Sequence, residues 1–246
     1  MSNSKCGRTA VASLFAAALL LPLSSIAQED EAEGPSYIQV RVVHTTAAGS
    51  GDWVELQKQA AEAQDEDAPW RDVWQVVRGE LDTFHIVSGL ENFAALDGQG
   101  EGGGPDPEWV AAITPTVHSR SQTIMRMHDA LNIPNPDDYE PSLLTLRYFT
   151  LREGQGEAFH TWLREELQPA IAAGGTTGVY FGHVTHGGNV ATCVIAGHFA
   201  NWAELDGPGA FAHMSEEERD ALFADWGSMV ANHEVRTLRY RADLSY

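Results

Sequence analysis

Between Leu143 and Leu151 the chain reads LLTLRYFTL. Leu144, Leu146 and Tyr148 fall on one side of a strand's alternation, Phe149 and Leu151 on the other, so both faces of this strand are apolar. A sheet solvated on one face would not carry that pattern. Gly156–Ala173 follows with Phe159, Trp162, Leu163 and Leu167 on one stripe, the spacing of a helix. Val179–Thr185 and Val190–Ala196 are short apolar runs around His186–Gly187–Gly188–Asn189, which predicts a hairpin. Ser215 with Glu218 forms a capping box that opens a helix through Val230, and Glu234–Ala242 predicts a last strand.

The first half repeats this order. Tyr37–Thr46 is β-rich, and Asp52–Gln64 places Trp53, Leu56, Ala60 and Ala63 at helical spacing. Arg71–Arg78 and Thr83–Ser88 flank Gly79–Glu80 as a second hairpin. A short helix at Asn92–Gly98, a Gly-rich loop, a helix at Glu108–Val117 and a strand near Gln122–His128 complete it. The correspondence reaches individual residues: Asn92–Phe93–Ala94–Ala95–Leu96–Asp97–Gly98 returns as Asn201–Trp202–Ala203–Glu204–Leu205–Asp206–Gly207. Offsets between matching segments stay between 106 and 113 residues. Internal repetition on this scale fixes an architecture better than any local signal.

Two βαββαβ units give two antiparallel sheets, each with helices on one face. The two bare faces can cover each other, which removes both the exposed apolar patches and the free edges. The predicted fold class is therefore α+β: two ferredoxin-like repeats packed sheet to sheet as an intramolecular barrel, a pseudo-dimer. The repeats span 37–131 and 143–246, joined by a stiff linker at 132–142 that holds Pro134, Pro136 and Pro141.

Residues 1–27 read as a secretory signal: Lys5 and Arg8, an apolar run from Ala10 to Leu23, then Ser25–Ile26–Ala27 before Gln28. The expected mature chain is exported, periplasmic or secreted, and begins with an acidic, disordered lead-in at 28–36. The formal net charge is −20. Such acidity argues against nucleic acid and anionic membrane surfaces as partners, and no membrane insertion is expected once the signal is removed. Higher oligomers through remaining sheet edges stay open. Cys193 is the lone cysteine after the signal, so no intrachain disulfide is expected, and its apolar surroundings predict a buried core residue.

The pattern resembles the dimeric α+β barrel superfamily in tandem form. Leu146–Arg147–Tyr148–Phe149–Thr150–Leu151–Arg152–Glu153–Gly154 and Glu157–Ala158–Phe159 look most like its NIPSNAP-type branch. The resemblance rests on pattern and speaks chiefly to fold. It implies three functions: an exported binder of a small apolar or anionic ligand, a haem-dependent or cofactor-independent monooxygenase or peroxidase-like enzyme, or a stress-response or assembly protein without ligand. Haem is the one cofactor it implies. The Asn, Trp and His set on which haem-degrading relatives rely is not placed in this chain.

Candidate chemistry concentrates in the second repeat. His198 stands where the third strand meets the next helix, and the first repeat has Gly89–Leu90 there. A residue present in one copy only is what a single pocket would leave. His198 is the first ligand-binding candidate and the one residue to consider as a haem ligand. His183 is next, and Phe181, Phe199 and Trp202 would form apolar walls, with the pocket expected between the second sheet and its helices. Arg147 and Arg239, with Arg41 and Arg126 in the first repeat, sit mid-strand, where a guanidinium turned into a barrel must pair or bind an anion. The alternative for each is a structural role: a hydrogen-bonded boundary histidine, or an arginine paired with an acid such as Glu80, Asp82 or Glu234 or reaching solvent. The sequence has no HExxH, CxxC or GxSxG, so no metal site is expected from spacing and no nucleophile elbow. Gly98–Gln99–Gly100–Glu101–Gly102–Gly103 matches GxGxxG but follows a helix and runs into Pro105, the wrong context for a dinucleotide.

Overall fold

The computed structural model describes residues 37–64, 68–99, 107–207 and 209–246. The signal-like segment, the acidic lead-in and most of the GxGxxG loop lie outside the described residues. Eight antiparallel strands close a barrel in the order β1-β3-β2-β8-β5-β7-β6-β4. The first repeat supplies β1 (Tyr37–Thr45), β2 (Arg71–Arg78), β3 (Thr83–Leu90) and β4 (Val117–Met127). The second supplies β5 (Leu143–Leu151), β6 (Val179–His186), β7 (Thr192–Phe199) and β8 (Val230–Tyr240). Within each repeat the order is that of a ferredoxin-like sheet. The repeats join edge to edge, β2 to β8 and β4 to β6, as well as face to face. Among the described residues, closure leaves no strand edge free.

The helices cover the outside. In the first repeat α1 (Ser50–Glu62) lays Trp53 on Phe84, ring centroids 4.2 Å apart. The shorter α2 (Pro107–Ile113) buries no residue and is followed by a 3-10 turn, Thr114–Thr116, where one longer helix was expected. In the second repeat α3 (Gly156–Trp162) runs through a π-turn, Leu163–Leu167, into α4 (Gln168–Ala173). Pro169 explains the turn: it has no N–H for the α-helical ladder and its ring would strike the carbonyl four residues back. The short α5 (Trp202–Leu205) starts from Asn201, whose side chain accepts from the Ala203 and Glu204 amides at 2.9 and 3.2 Å. Asn92 accepts from Ala95 at 3.1 Å, so the repeated Asn marks the same helix-starting turn in both halves. The Ser215–Glu218 capping box is formed, but its helix α6 (Glu216–Leu222) breaks before α7 (Trp226–Met229) instead of running to Val230.

Three apolar clusters hold this arrangement. One lines the inside of the barrel, with Val40, Trp74, Met125, Leu144, Leu146, Val184, Val194 and Leu238. The other two lie between sheet and helices, one per repeat. Cys193 belongs to the second of these and is 3% exposed, and burial pushes its thiol up to about 12. Each repeat also reaches across to its partner. After β4, Leu131 packs on the second repeat's helix-side cluster and Ile133 pairs with Val179. After β8, Leu244 fills the first repeat's cluster and Tyr246 exchanges backbone hydrogen bonds with Arg71. Among the described residues no helix is long and apolar enough to cross a membrane.

Candidate functional site

Strand alternation gives the barrel an inside, and the inside is not filled. A cavity of about 570 Å³ runs through it, a volume within the usual range for small-molecule sites. Alternate positions of each strand line it: Ile38, Val40 and Val42 on β1, His85 and Val87 on β3, Leu144, Leu146 and Tyr148 on β5, Val194, Ala196 and His198 on β7. The middle is apolar. Where β1 and β5 begin, the end is formed by Trp70, Asp72, Asp129, Asn132, Tyr180 and His198. At the opposite end stand Thr150, Asn189, Thr192, Asn232, Glu234 and Arg236.

His198 packs its ring on Trp74 and Tyr180, with centroids 5.7 and 5.0 Å away. Asn135 Nδ2 donates to His198 Nδ1 at 2.9 Å. With the amide in this orientation the neutral imidazole carries its proton on Nε2. Gly178 makes room for the pair: its φ is +67°, and a Cβ there would lie 2.9 Å from His198 Cβ. Burial lowers the His198 pKa to about 4, so the ring is neutral near pH 7. Beside it, Asp72 accepts from the Tyr240 hydroxyl at 3.1 Å, and burial still raises its pKa.

At the other end Arg236 Nε donates to Glu234 Oε1 at 2.6 Å, and the guanidinium lies 5.5 Å over the Tyr148 ring. Burial pushes the Tyr148 phenol up to about 12. His85 lines the same cavity from β3, opposite Val42 and Trp74. It is 1% exposed, and neither ring nitrogen has a hydrogen-bond partner in the protein. Burial, reinforced by Arg236 and His44, drops its pKa to about 3. An imidazole in this state costs roughly 1–3 kcal/mol for each nitrogen left unmet, so it calls for an explanation.

Of the ligand-binding candidates singled out from sequence, His198 lines the cavity and the others do not. His183 and Phe181 are odd positions of β6 and face the helix layer, where Phe181 is fully buried. Arg147 and Arg239, like Arg41 and Arg126, alternate with cavity positions and are exposed on the outer face. Trp202 is 38% exposed on α5, with the Arg78 guanidinium 5.9 Å over its ring. The cavity therefore lies on the barrel side of the second sheet, not between that sheet and its helices. The helix side is occupied by Phe149, Phe159, Trp162, Leu163 and Phe181. His85 and Arg236 went unnoticed in the sequence. The signal for His85 is an ionisable residue inside the apolar run Phe84–His85–Ile86–Val87.

The residues present do not fit a haem. The slot between the second sheet and its helices is packed with aromatic side chains. In the barrel, the His198 ring is held between Trp74 and Tyr180 and bonded to Asn135, with apolar side chains lining the space beyond it.

No protein-family model matches the chain, and no curated protein matches it in sequence. Solved structures do match. An anthrone oxidase-like protein superposes with a TM-score of 0.59 at 12% identity, covering 85% of this chain and 92% of that one. A protein provisionally described as a monooxygenase, from Lactobacillus acidophilus, gives 0.56 at 13% identity over 87% of this chain and 96% of that one. A NIPSNAP family protein from Agrobacterium tumefaciens is 18% identical and covers 45% of this chain and 96% of that one, with a TM-score of 0.34. The first two show that the chain has the dimeric α+β barrel fold. The third is too distant to choose a branch.

Proposed function

We propose that this protein binds one small, mostly apolar molecule inside the barrel, and that His85 and His198 hold that molecule's polar groups. The observation that carries this reading is His85, a fully buried imidazole with a donor and an acceptor both unmet, facing a cavity. A hydroxyl or carbonyl on the ligand would satisfy it once the ring turns a nitrogen, now shielded, toward the cavity. His198 Nε2–H offers a second donor beyond Trp74, which pairs with His85 in register and stacks on His198.

The lining also speaks to charge. Asp72, Asp129 and Glu234 stand against Arg236 alone, and Arg236 is already paired. An anionic ligand would meet net repulsion, so the ligand carries no negative charge. The binding role is placed outside the cytoplasm, on the strength of the signal-like residues 1–27.

Oxygenase chemistry, which the described functions of the neighbours suggest, is the weaker reading. General-base catalysis near neutrality works best with a group whose pKa lies near 7, and burial lowers both cavity imidazoles away from it.

The test titrates the mature protein with neutral aromatic alcohols and ketones of matched size, followed by tryptophan fluorescence with Trp74→Phe as control. Saturable binding is expected, weakened at least about tenfold in His85→Phe, the cost of one buried hydrogen bond. Equal affinity in wild type and His85→Phe, or no binding across the series, would overturn the reading.

A further inference from the structure

On the outer, helix-covered face of the barrel three histidines meet where the repeats join. His183 on β6 lies opposite Arg126 of β4, His128 directly follows β4, and His160 is on α3. His128 Nε2 and His183 Nδ1 are 3.0 Å apart. The His160 ring centroid is 4.9 Å from that of His128 and 5.8 Å from that of His183. One nitrogen from each of the three lies within 4.8 Å of the other two. We propose that these imidazoles bind one divalent transition-metal ion of the zinc, copper or nickel kind, leaving a coordination position open to water or a small anion.

The geometry is close to what such an ion requires. Metal–nitrogen bonds of about 2.0–2.1 Å set tetrahedral ligand atoms roughly 3.3–3.4 Å apart. The His128–His183 pair is slightly inside that separation, and the His160 nitrogen, within 4.8 Å of both, has to move in by roughly 1–1.5 Å. In the metal-free pair one ring N–H donates to the other's lone pair. A shift of that proton to the opposite nitrogen of its own ring turns both lone pairs toward the ion without loss of a proton. Burial lowers the pKa of all three, His128 to about 4, and neighbouring imidazoles add to the lowering at His128 and His183. An all-imidazole set selects against calcium and magnesium, which take oxygen ligands. The charged groups that act on the cluster are Arg126 and Arg164. Both are cations, so the open position favours an anion such as hydroxide or a carboxylate.

The matching seam shows what the same place looks like when built for structure alone. There Arg241 stands for His128 and Gln75 for His183, and Arg241 Nη1 donates to Gln75 Oε1 at 2.9 Å. Asp243 completes it by accepting from Arg241 at 2.8 Å through each oxygen. The position matching His160 is Val54. The fold needs a polar pair at this junction, and does not need three imidazoles.

The test uses the mature protein stripped with a chelator and titrated with Zn(II) against a chromophoric competitor, with Co(II) absorption reporting geometry. One ion per chain with a tetrahedral or five-coordinate Co(II) spectrum is expected. His160→Ala and His183→Gln should weaken Zn(II) binding roughly 100-fold or more, the upper end of what even outer-shell losses cost. His213→Ala, away from the cluster, should leave it unchanged. His160 is only half-buried on a helix, so its variant folds and decides the matter if His183→Gln does not. Absence of saturable one-to-one binding in wild type, or His160→Ala binding as tightly as wild type, would overturn the assignment.

Discussion

The two repeats share a topology and differ in how they are filled. The second has a continuous helix-side core of its own, from Phe149 and Phe159 through Trp162 and Phe181 to Leu222 and Met229. The first has Val43, Trp53, Val73, Phe84 and Ile86, and closes that cluster with Leu244, a residue of the second repeat's tail. Its helix α2 adds nothing buried, whereas α6 and α7 contribute Leu222 and Met229. The exchange is reciprocal in position, since Leu131 makes the matching reach, but not in weight. The first repeat depends on what it receives. The second depends on it less.

The largest effects should follow that dependence. Leu244 is fully buried, so Leu244→Ala removes its packing and leaves a cavity, costing about 3–5 kcal/mol. Leu131 is only partly buried, and Leu131→Ala should cost roughly 1–2 kcal/mol. Urea unfolding of both variants measures the difference. Equal losses would show that the tails support the repeats equally. Because each tail ties into the other repeat, wild type should unfold in one cooperative transition. An isolated 143–246 fragment, with β5–β8 left open at two edges, should dimerise or aggregate.

Acid should separate the repeats next. His85 belongs to the first repeat, and Val194 stands at its equivalent place in the second; His198 belongs to the second, opposite Gly89 in the first. Both imidazoles have folded-state pKa values below the ordinary 6.5, at about 3 and about 4. The unfolded chain therefore binds their protons more readily, and stability is full above pH 6.5 and falls as acid is added below it. With a slope of about 1.4 kcal/mol per pH unit for each group, going from pH 6.5 to 5 should cost on the order of 3 kcal/mol. His128, held at about 4, and the other lowered histidines add to this loss, so His85→Phe should remove about 1.5 kcal/mol of it and leave the rest in place. A flat profile in wild type would show that the imidazoles are not held neutral.

At neutral pH the same variant should be more stable than wild type without ligand. Replacing an imidazole with two unmet nitrogens by an apolar ring of similar shape should gain about 1–3 kcal/mol. Thermal unfolding checks it. A loss of stability would mean that His85 is satisfied within the barrel and has no call on a ligand.

What was legible in the sequence was repetition and alternation. Asn92 and Asn201 start equivalent turns, and their matching contexts revealed two halves of one kind. The face of each strand was not legible, because both faces are apolar: one packs on helices and the other on the cavity. His183 and His198 looked alike for that reason, yet β6 and β7 aim them to opposite sides of the sheet. His85 was concealed by apolar neighbours. The histidine cluster draws one member from a strand end, one from a helix and one from a strand, so no spacing along the chain could announce it.

The smallest effect should come from making one seam into the other. His128, Ala130 and His183 occupy the places of Arg241, Asp243 and Gln75. The triple variant His128→Arg, Ala130→Asp, His183→Gln would install the guanidinium, its carboxylate and its amide partner on the β4–β6 side. Backbone pairing is the same at both seams, Arg126 opposite His183 and Arg239 opposite Gln75. The new groups are part-exposed, and such polar pairs contribute little net stability. In the absence of metal the triple variant should therefore unfold within about 1 kcal/mol of wild type. With Zn(II) present, wild type should gain stability and the variant should not, because only a site that binds the folded state shifts the transition. A large loss without metal would mean that the histidines hold the repeats together by themselves, and the two seams would then be different structures, not one structure with two uses.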